Sequence, residues 1–234
     1  MTRVKICGLM NPMDIEACVD AGVHVAGFVT EYPVPVPWNL TKEQAAGLVD
    51  KVPPFVASCV VTGGSARKVI EVAEAVRPDI IQLHHRETLE EITAIVRHMR
   101  TMGIRTIKAL RIDENGRCDF ELPDPAEAVK RLEETGISAI VADSYTRTMP
   151  GGTGIPLKLD TYRLMRTGTS LPVILAGGIN PSNAAGIIRD AAPYAIDVLT
   201  GVEDSPGQKD AARIYELMRL CSYRRQKPHR TDLS

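Results

Sequence analysis

The stretch PVILAGGINP, residues 172–181, compresses a strand, a turn and a helix start into ten residues. Its first half is an apolar run of the kind found in parallel strands that helices cover. Gly177 and Gly178 then let backbone N–H groups come close to an anion, and a helix N-terminus follows. A single unit of this kind is weak evidence, because glycine more often simply ends an element. On both sides of it, however, the same unit recurs.

Short β-branched runs occupy residues 4–7, 24–29, 55–61, 79–84, 105–110, 138–143, 172–177 and 195–200. Between and after them, apolar residues at three- and four-residue spacing predict helices over 12–21, 41–50, 65–76, 87–101, 125–135, 158–166, 181–190 and 208–220. Gly22, Gly103 and Gly136 punctuate helix ends. Eight strand–helix units in series predict an α/β fold, a single (β/α)8 TIM barrel over residues 1–221, since a doubly wound sheet has about five or six strands. The 234-residue length suits one such barrel, which typically needs about 250 residues. Residues 222–234 are polar, basic and aperiodic, and the expectation there is a flexible tail.

Aromatic residues are only 4% of the chain, which favours aliphatic packing between sheet and helices. The formal net charge of −1 provides no global field for nucleic acid or an anionic membrane, so an anionic ligand must be held by local groups. No stretch approaches the roughly 20 apolar residues that span a bilayer, and the opening MTRVKICGLM lacks the apolar length of a signal peptide. Cysteines at 7, 18, 59, 118 and 221 form no CxxC pair and no zinc spacing. These features predict a cytoplasmic protein with reduced thiols and without nucleic-acid or membrane partners, and leave monomer or homodimer open; the expected partner is a small phosphorylated molecule.

In such barrels the chemistry sits at the C-terminal strand ends, and the loops after strands 7 and 8 cradle phosphate. Three glycine-rich turns fall on successive strand ends: Gly151-Gly152-Thr153-Gly154 after strand 6, Gly177-Gly178 after strand 7 and Thr200-Gly201 after strand 8. Gly152, Gly154, Gly177, Gly178, Thr200 and Gly201 are therefore the candidate phosphate site. On strand 1, alternation puts Lys5 and Cys7 on one face and Val4 and Ile6 on the other. Cys7 is either a small buried hydrophobe or, if a neighbouring cation lowers its pKa, a thiolate base. Asp143 ends strand 6, where it either caps the next turn or serves as a general acid if apolar walls raise its pKa. His84 and His85 are adjacent and point to opposite faces, so no metal constellation is visible. Lys108 near the end of strand 5 keeps a Schiff-base aldolase open as an alternative.

These residues resemble the phosphoribosylanthranilate isomerase family of tryptophan biosynthesis. The matching segments are Lys5-Ile6-Cys7-Gly8-Leu9, Ala26-Gly27-Phe28, Ile81-Gln82-Leu83-His84, Ala142-Asp143-Ser144, Gly151-Gly152-Thr153-Gly154, Leu175-Ala176-Gly177-Gly178-Ile179, Gly201-Val202-Glu203 and Lys209-Asp210. The resemblance implies an Amadori rearrangement of an N-linked phosphoribosylamine to a 1-deoxyribulose 5-phosphate, without a cofactor. It implies Asp143 as the acid that protonates the furanose ring oxygen and Cys7 as the base that removes the C2′ proton. Gly154, Gly177, Gly178 and Gly201 would hold the phosphate, and Gln82 and His84 would line the substrate pocket. The family usually has Ser-Pro-Arg after strand 2, the arginine facing the anthranilate carboxylate. Here the loop is longer, Trp38 stands where that arginine is expected, and an indole can stack but cannot ion-pair. His85 also stands where the family usually has glycine, and Leu199-Thr200 replaces a Ser-Ser pair. Two readings stay open: an isomerase proper with another cation such as Arg111 or Arg86 at the carboxylate, or a diverged relative acting on a different phosphoribosylamine or phosphosugar. A phosphate-binding protein without turnover is a third. Pro33, Pro35, Pro37 and, further on, Pro53 predict a stiff extended lid over 32–37.

Overall fold

In the computed structural model, which describes residues 1–144 and 157–222, eight parallel strands close on themselves. They are β1 (Arg3–Ile6), β2 (Val25–Val29), β3 (Ala57–Thr62), β4 (Ile80–Leu83), β5 (Arg105–Ile112), β6 (Ala139–Ser144), β7 (Val173–Ala176) and β8 (Ala195–Val198). Closure is made by β8 pairing with β1, Val4 opposite Ile196 and Ile6 opposite Val198. The covering helices are α1 (Pro12–Asp20), α2 (Lys42–Val49), α3 (Ala66–Val76), α4 (Leu89–Thr101), α5 (Pro125–Glu134), α6 (Leu159–Thr167), α7 (Pro181–Ala191) and α8 (Ala211–Ser222). The predicted TIM barrel is therefore the observed fold. The turn at 151–154, with Gly152 and Gly154, and the segment 223–234 lie outside the described residues.

Local chemistry explains the helix starts. Asn180 accepts from the Ser182 N–H while Asn183 reaches back to the Asn180 N–H, and Pro181 takes the first helical position, where its missing donor costs nothing. Thr41 and Thr88 form equivalent boxes with Gln44 and Glu91. The last helix departs furthest from expectation at its start, beginning at Ala211 rather than 208, while the others begin within two residues of it. The residues before it form a small antiparallel pair, β9 (Glu203–Ser205) with β10 (Gln208–Lys209).

Strand alternation sorts the core into layers. Val4, Ile6, Phe28, Val60, Ile81, Leu83, Leu110 and Ile196 face the helices, each fully or almost fully buried. Burial of each such side chain stabilises the fold by about 1.5–3 kcal/mol. Inside the barrel lie Cys59, Ile107, Ala109, Ala139, Val141 and Ala176, and above them, at the mouth, Cys7, Val29, Tyr32, Trp38 and Val61. The interior is not wholly apolar: Lys5 enters it and pairs with Asp197 at 2.7 Å. Gly27 makes that possible, since a Cβ there would lie 3.0 Å from Lys5 Cε and 3.0 Å from Cys7 Cα.

Candidate active site

Cys7 follows β1 directly, its N–H donating to Val198 O at 2.9 Å, which fixes it against the end of β8. Asp143 stands near the end of β6, in register with Arg111 on β5. Both lie on the inward parity of their strands, with Ala139, Val141, Ile107 and Ala109 beneath. Cys7, Asp143, Gln82, His84, Trp38, Gly177, Gly178, Thr200 and Gly201 line one cavity at the C-terminal mouth of the barrel. The described residues read from the sequence as catalytic or substrate-binding candidates thus share one cavity, whereas Arg111, Arg86 and Lys108 are not among its lining.

The cavity's electrostatics are set by burial and by the ion pair below it. Burial pushes the Asp143 carboxyl up to about 7, and the nearby Asp197 charge pushes the same way, against Lys5 and Arg111. An acid that keeps its proton near neutrality is what a proton donor needs. Burial works against the charge on Lys5, but the Asp197 carboxylate paired with it keeps the ammonium protonated, its pKa raised. For Cys7 the structure corrects the sequence-based expectation of a lowered pKa. Burial raises the thiol, and the cation beneath, Lys5, offsets only part of that.

Around the acid, His84 Nε2 lies 3.5 Å from Asp143 Oδ2, and Gln82 Nε2 lies 3.2 Å from His84 Nδ1. Tyr32 fixes this corner, its hydroxyl donating to His84 O at 2.9 Å and its ring standing edge-on to both His84 and His85. Both histidines lie just past the end of β4, and His85 donates its backbone N–H to Glu87. Lys108 lies on the other face of β5, buried, paired with Glu87 at 2.7 Å and donating to His85 O. Burial lowers its pKa, against the pull of Glu87, yet it borders the helix layer and not the mouth. A Schiff-base lysine there would not meet a substrate held over the strand ends.

The loops after β7 and β8 lock together. Gly177 and Gly178 have φ of +90° and +62°, and a Cβ on Gly177 would fall 2.1 Å from Ser144 Oγ. A Cβ on Gly201 would fall 1.9 Å from Ile179 O. Asn183 Nδ2 takes the Gly178 carbonyl at 2.8 Å, turning that oxygen toward α7. The result is a small-residue shelf beside the α7 N-terminus, where backbone donors and the helix dipole favour an anion.

A family model described as N-(5′-phosphoribosyl)anthranilate (PRA) isomerase matches residues 4–219. The chain belongs to the PRA isomerase family. Among relatives named N-(5′-phosphoribosyl)anthranilate isomerase, that of Methanosarcina acetivorans is 35% identical over 95% of this chain and 94% of its own. That of Geobacter sulfurreducens is 34% identical over 94% and 98%. The crystal structure of the Thermotoga maritima PRA isomerase superposes with a TM-score of 0.78 at 29% identity, covering 94% of this chain and 98% of that one. Another PRA isomerase, in complex with reduced 1-(o-carboxyphenylamino)-1-deoxyribulose 5-phosphate, superposes with a TM-score of 0.75 at 28% identity over 94% and 97%.

Against that PRA isomerase background the loop after β2 stands out. Trp38, the sole tryptophan, is buried with its ring against Gly8, where a Cβ would lie 3.0 Å from Trp38 Cδ1. Its Nε1–H donates to Glu203 Oε1 at 2.8 Å, and the same oxygen accepts from Lys209 Nζ at 2.6 Å and from the Gly207 N–H at 3.2 Å. The indole therefore walls the cavity and ties the β2 loop to the β9–β10 hairpin. Asn39 pins the rest of that loop by accepting from the Tyr32 N–H and donating to Tyr32 O. Sequence reading missed Tyr32, the Lys5–Asp197 pair and the Glu203–Lys209 bond. A signal existed for the second: Lys5 shares the inward parity of Cys7, and a charge inside a barrel needs a partner on a neighbouring strand.

Proposed function

We propose that this chain catalyses the Amadori rearrangement of N-(5′-phosphoribosyl)anthranilate to 1-(o-carboxyphenylamino)-1-deoxyribulose 5-phosphate, in a cytoplasmic step of tryptophan biosynthesis. The observation that carries it is one cavity holding a buried carboxyl poised near pH 7 and a cysteine beside a lysine, with a glycine shelf for phosphate. Asp143 gives its proton to the furanose ring oxygen, and the amine lone pair opens the ring to a Schiff base. Cys7, as thiolate, takes the C2′ proton, and the resulting enolamine tautomerises to the ketone by protonation at C1′. No group outside the chain and substrate is needed to balance these steps. Lys5, held charged by Asp197, stabilises the thiolate from below.

The phosphate rests on Gly177, Gly178, Thr200 and Gly201. In a Gly201→Ala enzyme the new methyl collides with Ile179 O, so the shelf must open. KM is expected to rise roughly 10- to 100-fold, equivalent to losing about 1.5–3 kcal/mol of charge-assisted hydrogen bonding, and inorganic phosphate should inhibit correspondingly less well. Unchanged phosphate inhibition would remove the anion from this shelf.

For the anthranilate carboxylate, Arg111 replaces the missing arginine at Trp38. It is buried beside Asp143 and ion-paired with Asp119, which also takes the exposed Arg86. A guanidinium has five donors, more than the ion pair with Asp119 uses. Arg111→Met should raise KM for the anthranilate substrate roughly 10- to 100-fold and abolish the preference over the aniline analogue that lacks the carboxylate. Trp38 favours a second reading, a phosphoribosylamine with an uncharged substituent stacked on the indole. Wild-type preference for the aniline analogue would select that reading.

We propose that the chain works as a monomer or homodimer. A dimeric PRA isomerase from Thermotoga maritima is among the similar structures, and sedimentation of the purified protein decides between the two states.

A further inference from the structure

We propose that Gln82 sets the tautomer of His84, so that His84 Nε2–H holds Oδ2 of Asp143 and leaves Oδ1 to carry the proton to substrate. Its role in turnover rests on the isomerase reading, whereas the tautomer itself rests on contacts alone. Gln82 lies inside the barrel on β4, almost fully buried. The two ends of an amide have the same shape, so its neighbours decide which way it faces. Cys59, on β3, lies with its sulfur 3.9 Å from Gln82 Oε1. Burial pushes that thiol up to about 12, so it stays an S–H and donates, and a donor requires the amide oxygen. The amide nitrogen therefore faces His84 Nδ1 at 3.2 Å.

An amide NH2 only donates, so Nδ1 accepts and the ring proton of the neutral imidazole sits on Nε2. That N–H faces Asp143 Oδ2 at 3.5 Å, a separation typical of a catalytic contact that tightens once substrate is bound. Tyr32 keeps the residue in place through its bond to His84 O. Among the described residues, the groups around the Asp143 carboxyl are Lys5 from β1, Tyr32 from the β2 loop, His84 beyond β4, Arg111 from β5 and Asp197 from β8. Lys5 and Arg111 are fixed cations and Asp197 is paired with Lys5. His84 is the neighbour whose hydrogen-bond polarity a second residue dictates. It acts as a positioning residue: it orients the carboxyl and stabilises the carboxylate left after proton transfer.

The test is nitrogen NMR of histidine-labelled free protein, with the His84 resonances assigned by their loss in His84→Gln. The expected spectrum shows an unprotonated Nδ1 and a protonated Nε2, and Gln82→Glu, which can only accept, moves the proton to Nδ1. A protonated Nδ1 in the wild type, or an unmoved proton in Gln82→Glu, would overturn the proposal. A carbon NMR titration of the Asp143 carboxyl follows the second half without requiring turnover. His84→Leu should raise its midpoint by about one pH unit, and His84→Gln, whose amide nitrogen falls near the Nε2 position, should restore it in part. With substrate, kcat/KM of His84→Leu should fall at least roughly tenfold and recover in part in His84→Gln. A midpoint that does not move in His84→Leu, or a His84→Gln enzyme no better than His84→Leu, would also overturn it. Absence of wild-type turnover would sink the isomerase reading while the spectra still decide the tautomer.

Discussion

A Cys7→Ser enzyme should turn over N-(5′-phosphoribosyl)anthranilate about 10³-fold more slowly than wild type while still binding the reduced product analogue, as read from Trp38 emission. The serine hydroxyl has nearly the shape of the thiol but is far too weak an acid to exist as an anion beside Lys5. Binding should survive because the phosphate shelf, built from the β7 and β8 loops, does not depend on the sulfur. A Cys7→Ser enzyme with wild-type kcat would mean that another group removes the C2′ proton.

The Asp143→Asn enzyme should lose a similar factor, because an amide can donate a hydrogen bond but cannot surrender a proton to the ring oxygen. Its pH behaviour tests more than its rate. In the wild type, burial raises both groups, Asp143 to about 7 and Cys7 above its ordinary value. The active form needs the acid protonated and the thiol ionised, the reverse of the dominant form between those two values. Its fraction, although small, is constant there. Wild-type kcat/KM should therefore rise with pH to about 7, run flat, and fall only where the thiol itself ionises. Asp143→Asn removes the break near 7, so that its residual rate keeps climbing with pH until the thiol ionises, and a break that stays near 7 would assign it elsewhere.

The same shift has a consequence for stability. A carboxyl whose folded pKa is near 7 and whose unfolded pKa is about 3.9 binds its proton more tightly when folded. Its contribution is complete below the unfolded value and is lost as pH rises through the folded one. Asparagine mimics the protonated acid at every pH. Asp143→Asn should match the wild type near pH 4 and exceed it above pH 7 by an amount on the order of a few kcal/mol, seen as a Tm gap that opens with pH. A gap that closes with rising pH would mean that the carboxylate is the form this cavity favours.

The barrel was legible because its signals are local. PVILAGGINP reports a strand, a turn and a capped helix without reference to anything distant, and eight such units leave few alternatives. Cys7, Asp143 and the glycine shelf were legible for the same reason: strand-end position fixes where a side chain points. What stayed hidden depends on partners far apart in sequence. Lys5 meets Asp197 across 192 residues and Trp38 meets Glu203 across 165, and no periodicity encodes either pairing. The direction of the Cys7 shift was hidden as well, because it is a balance between burial and Lys5 that only the packed mouth determines. The second strand of the hairpin before α8, Gln208–Lys209, was read as the helix start because the hairpin turn is stabilised by Glu203 and Gly207, not by a repeating pattern.

The most direct measurement is the fluorescence decay of freshly generated N-(5′-phosphoribosyl)anthranilate mixed with purified wild-type protein, with Cys7→Ser and Asp143→Asn run alongside. Rapid enzymatic decay with wild type and near-loss of it in both variants is the expected result. No decay beyond the uncatalysed rate with well-folded wild-type protein would contradict the assignment and turn attention to phosphoribosylamines that Trp38 accommodates.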